Sequence, residues 1–107
     1  MKPELPAEGR VLFLTGGSRG IGAGVVAAAA AAGYDVAFTY RERRDAADAV
    51  VAAVAAQSPA RRCRAYQLDV RASADVDRVG EQVLDDFDTV HVVVANAAVT
   101  RAGLAIS

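Results

Sequence analysis

Val11-Leu12-Phe13-Leu14-Thr15-Gly16-Gly17-Ser18-Arg19-Gly20-Ile21-Gly22 is the stretch that decides the fold. Its four leading apolar residues suit a strand buried on both faces, as in a parallel sheet. The glycines at 16, 20 and 22 permit positive φ and let backbone approach a ligand with no Cβ in the way. Ile21 to Ala32 follows, rich in alanine, the best helix former. Gly33 stands where a C-cap glycine belongs. A helix entered directly from a glycine turn aims its unpaired N–H groups and positive dipole end at that turn. Strand, glycine turn and helix together therefore read as a grip for a phosphate group.

Working outward, Asp35-Val36-Ala37-Phe38-Thr39-Tyr40 is a second strand, broken by Arg41-Glu42-Arg43-Arg44. Asp45 to Gln57 reads as a second helix with Ala46, Val50 and Val54 on one side, stopped by Ser58-Pro59. Arg64 to Val70 is a third strand. Ser73 is a suitable N-cap for a third helix, in which Val76, Val79, Val83, Leu84 and Phe87 fall at helical spacing. Val90 to Val94 is a fourth, β-branched strand ending at Ala95-Asn96-Ala97-Ala98. The order β-α-β-α-β-α-β predicts an α/β fold with parallel strands and right-handed crossovers. It is the content of the N-terminal half of a doubly wound parallel sheet with strand order 3-2-1-4. Residues 1–9, with two prolines, read as an arm, and residues 10–107 as part of one domain.

The bulk properties narrow the function. Hydrophobic residues make up 53% of the 107 and charged residues 23%, enough to build a core and too apolar for a disordered chain. Mean hydropathy is +0.21, yet no apolar run approaches the roughly 20 residues that span a bilayer. A net charge of -1 argues against nucleic-acid binding, which calls for a basic face. The first six residues contain no apolar signal-peptide core. One cysteine, Cys63, excludes an internal disulfide, and a cytoplasmic compartment fits best.

Ligands of such a sheet bind at the carboxyl ends of the strands beside strand 1. Residues 15–22, 40–44, 69–70 and 95–98 should meet there. The glycine spacing is T-G-x-x-x-G-x-G, and it resembles that of the short-chain dehydrogenase/reductase family, whose fold is Rossmann-like. Asp69-Val70 looks like the family's adenine-contacting pair, and Ala95-Asn96-Ala97-Ala98 is similar to its N-N-A-G segment beside the adenosine ribose. Two positions depart from that segment, Ala95 for the first asparagine and Ala98 for the glycine. Val99-Thr100-Arg101 extends the likeness toward the 3-oxoacyl-(acyl-carrier-protein) reductases of fatty-acid and polyketide synthesis. The resemblance implies a dinucleotide site made of Gly16, Gly17, Ser18, Arg19, Gly20, Ile21, Gly22, Tyr40, Arg41, Asp69, Val70, Asn96 and Ala97. It also implies an acyl-carrier-protein-bound substrate and a homo-oligomer in the complete protein.

The end of strand 2 bears on which dinucleotide. An acidic residue there would bond both ribose hydroxyls and repel a 2′-phosphate. This chain has Tyr40 and Arg41, with no carboxylate before Glu42. Arg41 can pair with a phosphate through its planar fork, and Arg19 approaches from the glycine turn. NADP (as NADPH) is the expected cofactor. The competing reading makes Arg41 part of a solvated helix start, which is the preferred account of Arg43 and Arg44.

Other chemistry-bearing residues read as structural. His91, the lone histidine in an apolar strand, suits a hydrogen-bonded packing role. Asp85, Asp86 and Asp88 suit a solvated turn better than a cation site, and no metal is expected. Arg61, Arg62 and Arg64 suit a polar loop; they could also lower the pKa of Cys63, although a structural thiol is the preferred account. Tyr34 and Tyr66 read as packing residues. The family's hydride-transfer chemistry uses a serine and a Y-x-x-x-K pair, and no Y-x-x-x-K occurs in these 107 residues. No residue is assigned as catalytic, and the chain by itself is expected to be inactive. An uncovered strand 4 is expected to promote aggregation, edge-to-edge dimerisation or binding of a complementing segment. Two alternatives stand beside the reductase: a non-catalytic nucleotide-binding or interaction module, and a family member acting on another alcohol.

Overall fold

The computed structural model describes residues 9–17, 20–69 and 71–95. Its elements are β1 (Val11–Thr15), α1 (Gly20–Ala31), β2 (Asp35–Tyr40), α2 (Arg44–Gln57), β3 (Cys63–Gln67), α3 (Ser73–Phe87) and β4 (Val92–Ala95). The four strands form one parallel sheet in the order β3-β2-β1-β4. Alternation and order are those read from the sequence, and the architecture is that of a Rossmann-like sheet.

Strand residues alternate between faces, and each face builds its own core. Leu12, Leu14, Val36 and Phe38 pack against Val26, Ala29 and Ala30 of α1 and Ala47 and Val54 of α2. Val11, Ala37, Tyr66 and Leu68 pack against Val79, Val83 and Phe87 of α3. Both faces of β1 and β2 are therefore covered, which is why those strands read as unbroken apolar runs. Phe38, Leu14, Val26 and Val36 are almost wholly buried, and each such side chain contributes about 1.5–3 kcal/mol.

Helix α1 ends as its sequence dictates. Gly33 takes φ 109°. The Gly33 N–H donates to the Ala30 carbonyl and the Tyr34 N–H to the Ala29 carbonyl, at 3.0 Å each. That is the Schellman pattern, which a glycine in the left-handed region makes cheap.

Helix α3 departs from expectation in two ways. Ser73 is not its N-cap: it is the first helical residue, and Ala72 holds the cap with no side-chain hydrogen bond. The Ala72 carbonyl already accepts the Val76 N–H at 3.2 Å, so the helical ladder starts one residue earlier. Nor do all five apolar positions face the sheet. Val79, Val83 and Phe87, four apart, are buried, whereas Val76 is 43% and Leu84 50% exposed. Leu84 lies about 100° round the axis from Val83, off the buried stripe, and Val76 sits in the first turn. Smaller shifts occur in the strands: β3 begins at Cys63 and closes at Gln67, and β4 runs Val92–Ala95.

Candidate dinucleotide site at the carboxyl edge

Parallel pairing brings the carboxyl ends of all four strands to one edge. Thr15 is in register with Ala95, and Tyr40 with Gln67. The glycine turn leaves β1 at this edge and enters α1, at the boundary between β2 and β4.

The turn is fastened to β2. Gly16 has φ 80°, and its N–H donates to the Thr39 hydroxyl at 3.0 Å. The Gly17 N–H donates to the Thr39 carbonyl at 3.0 Å. Thr39 itself is buried. A Cβ on Gly17 would lie 2.8 Å from Cβ, Cγ and Cδ2 of Phe38. Gly17 is thus required by close packing of the turn on β2, and Gly16 by its backbone conformation. Thr39 engages both of these N–H groups, which leaves the start of α1 as the source of backbone donors at this edge among the described residues. Gly20, Ile21 and Gly22 open that helix, and the first N–H groups of a helix have no partner within it. No acidic residue occupies this first turn to compete with an anion. Among the described residues, a Cβ at Gly20 would meet nothing within 4 Å, so a side chain's place at the start of α1 is uncovered. These features fit a pyrophosphate. Ile21 is 79% exposed, and Gly22 is buried.

At the end of β2, the Tyr40 ring packs against the α1/α2-side core, and its carbonyl accepts the Leu68 N–H at 2.9 Å. Arg41 is exposed. Its Nε lies 3.8 Å from a Glu42 carboxylate oxygen, so the cation has an acidic neighbour after all. Its carbonyl accepts from Gln67 Nε2 at 2.9 Å, which ties this strand end to β3.

Asp69 follows β3. Its Oδ1 accepts from the Arg71 N–H and from Arg71 Nε at 3.0 Å each, and its Oδ2 from Arg71 Nη2 at 2.9 Å. The side-chain bond from Arg71, followed by the Arg71 backbone N–H, holds the Asp69 carboxyl well below the usual carboxylate range. Asp69 therefore stays ionised and acts only as a hydrogen-bond acceptor. Its own N–H donates to Asp75 Oδ2 at 3.0 Å. Ser18, Arg19, Val70, Asn96 and Ala97 lie outside the described residues, as does Ala98.

Sequence reasoning overlooked Thr39, Phe38 and Arg71. A polar β-branched residue inside an otherwise apolar strand was the available signal for Thr39. Nothing in the local pattern marks Arg71 beyond its distance of two residues from Asp69.

The remaining candidates sit elsewhere. His91 Nδ1 accepts the Val11 N–H at 2.9 Å, and the His91 N–H donates to the Val11 carbonyl at 2.8 Å. The histidine thus fastens β4 to the amino end of β1. Tyr66 is buried and donates to Asp86 Oδ2 at 2.6 Å; burial and that carboxylate push its pKa up. Asp86 also faces Arg64 at 3.7 Å. Among the described residues no group of three or more His, Cys, Asp or Glu could hold a metal ion. Arg61 and Arg62 do not activate Cys63: burial pushes its thiol up to about 11. Instead they face Asp35, at 3.8 and 3.1 Å. Among the described residues no helix is long and apolar enough to cross a membrane.

Comparisons agree with this geometry. The family model described as short chain dehydrogenase matches residues 10–106. A 3-oxoacyl-[acyl-carrier-protein] reductase of Synechocystis sp. is 39% identical over 92 residues, covering 86% of this chain and 36% of the relative. A hydroxynaphthalene reductase of Aspergillus fumigatus is 33% identical over 97 residues, covering 91% and 35%. Among solved structures, a blue fluorescent protein from a metagenomic library, in complex with NADPH, is 41% identical with a TM-score of 0.76, covering 83% of this chain and 36% of that one. The chain thus spans about a third of the length of the relatives it matches.

Proposed function

The chain belongs to the short-chain dehydrogenase family, and from that premise we propose that it is the dinucleotide-holding part of an NADPH-dependent ketoreductase acting on a 3-oxoacyl thioester. The observation that carries this is the glycine turn fastened by Thr39 at the boundary of β2 and β4, leading into a helix whose first turn holds no acidic residue. A bound NADPH would supply the hydride for carbonyl reduction, with the accompanying proton coming from the tyrosine of the family's Y-x-x-x-K pair. In this reading Gly16, Gly17, Ser18, Arg19, Gly20, Ile21 and Gly22 form the pyrophosphate turn. Tyr40 and Arg41 border the 2′-phosphate. Asp69 and Val70 receive the adenine, and Asn96 and Ala97 line the ribose.

Arg41 at the end of β2, where an acid would select NAD, supports NADP. The likeness to a structure in complex with NADPH points the same way. The identity to the Synechocystis reductase supports the acyl substrate. Residues 10–107 are then one part of a single nucleotide-binding domain preceded by an arm at 1–9. The serine and the Y-x-x-x-K pair come from sequence beyond these residues, the complete protein is a cytoplasmic homo-oligomer, and an acyl carrier protein presents the substrate. A second reading, favoured by the similarity to hydroxynaphthalene reductase, keeps the site and cofactor and exchanges the thioester for an aromatic ketone.

Titration with NADPH and NADH tests the cofactor: NADPH should bind at least tenfold more tightly, and equal or tighter NADH binding would contradict it. In the complete protein, NADPH oxidation with a 3-oxoacyl thioester set against a cyclic aromatic ketone separates the two substrate readings.

A further inference from the structure

Asp69 is held more elaborately than a surface carboxylate requires. Arg71 sends it three hydrogen bonds, two to Oδ1 and one to Oδ2. The backbone at Asp69 is fixed as well, since its N–H donates to Asp75 Oδ2. Asp75 Oδ1 accepts from Arg78 Nε and Nη2, at 3.0 and 2.7 Å. Arg78 Nη2 also donates to the Gln67 carbonyl at 3.2 Å, and the Gln67 amide reaches the Arg41 carbonyl. One polar chain therefore runs from the end of β2, through the end of β3 and the first turn of α3, to the Asp69 carboxylate.

Each carboxylate oxygen offers about two acceptor directions. Oδ1 has both filled by Arg71, and Oδ2 has one filled. Among the described residues a single acceptor direction is left on Oδ2, on an ionised carboxylate whose orientation Arg71 holds. Resting on the dinucleotide reading above, we propose that Arg71 is a positioning residue that makes this site select a 6-aminopurine. It leaves Asp69 one fixed acceptor, which an adenine amino group can satisfy and a 6-oxo group cannot. Without Arg71 the carboxylate could turn away from the amino group, so affinity for adenine would fall, and with it the margin over a base that has no donor at that position. Arg71 is exposed, and its removal takes no apolar packing from either core.

The test is fluorescence titration of the full chain with NADPH and with its hypoxanthine analogue, which places an acceptor where adenine carries the amino donor. The unsubstituted chain should favour NADPH by about tenfold, the size of one charge-assisted hydrogen bond. R71A and R71Q should each bring that ratio to within about twofold, chiefly by weakening NADPH. An unchanged ratio in both variants, or an equal loss of affinity for both dinucleotides, would overturn the proposal. D69N, which can present either a donor or an acceptor, should also abolish the preference. A ratio untouched by D69N, or no NADPH binding by the unsubstituted chain, would overturn the dinucleotide reading on which the proposal rests.

Discussion

The two ends of this sheet are built on opposite plans. At the amino ends, a buried carboxylate is paired across elements. Asp35, 6% exposed, accepts the Arg62 N–H at 2.9 Å and the Arg62 guanidinium at 3.1 and 3.2 Å, with Arg61 nearby. Arg61 also donates to the Gly33 carbonyl, and the Arg62 guanidinium lies 4.7 Å above the Phe87 ring. At the carboxyl ends, the charged pairs are local in sequence and exposed: Arg41 with Glu42, and Arg71 with Asp69. There the place of side chains is taken by glycines and helix N–H groups. One end uses its charged groups to tie distant elements together, whereas the other keeps its charged pairs local and exposed.

That contrast breaks most easily at Asp35. D35A leaves the largely buried Arg61 and the half-exposed Arg62 around a vacated position, and removing one partner of a buried pair costs about 3–5 kcal/mol, an upper bound for a pair with one exposed member. The urea midpoint should fall accordingly, and a loss below about 1 kcal/mol would show that this end is not the structural clamp. Next in size is G17A, whose Cβ must displace Phe38. Such overpacking costs about 1–3 kcal/mol, and it should weaken NADPH binding beyond the loss of stability because the turn itself moves. T39V removes the hydroxyl that accepts the Gly16 N–H, at about 1 kcal/mol. NADPH titration should show weaker binding for T39V and recovery in T39S.

Cys63 gives an effect that depends on pH. Its folded pKa is raised by burial to about 11, against about 8.5 in an unfolded chain. The raised value favours the neutral thiol in the fold. Its contribution to stability is thus complete below about pH 8.5 and is lost as pH rises toward 11. Urea denaturation at pH 8 and pH 10 should show a fall in midpoint that C63A reduces.

The same contrast explains what could be read from the sequence. Strand order and the glycine turn were legible because apolar runs and glycines act through local geometry. The two arginines before β3, Arg61 and Arg62, were legible only as polar residues, since their partner Asp35 stands 26 or more positions earlier and carries no mark of burial in its own neighbourhood. Ser73 misled because its residue type suits an N-cap, whereas the cap position is set by which carbonyl begins the ladder, and that carbonyl belongs to Ala72. At the site, Asp69 was legible as part of a motif. The arginine that immobilises it was not, because its role depends on how the chain turns after β3.

The most direct measurement is amide chemical-shift mapping on addition of NADPH. The account predicts saturable shifts at Gly16, Gly17, Gly20, Ile21, Gly22, Arg41 and Asp69, with Asp35, Arg62 and His91 unmoved. Shifts concentrated at the amino edge, or none at the glycine turn, would contradict it.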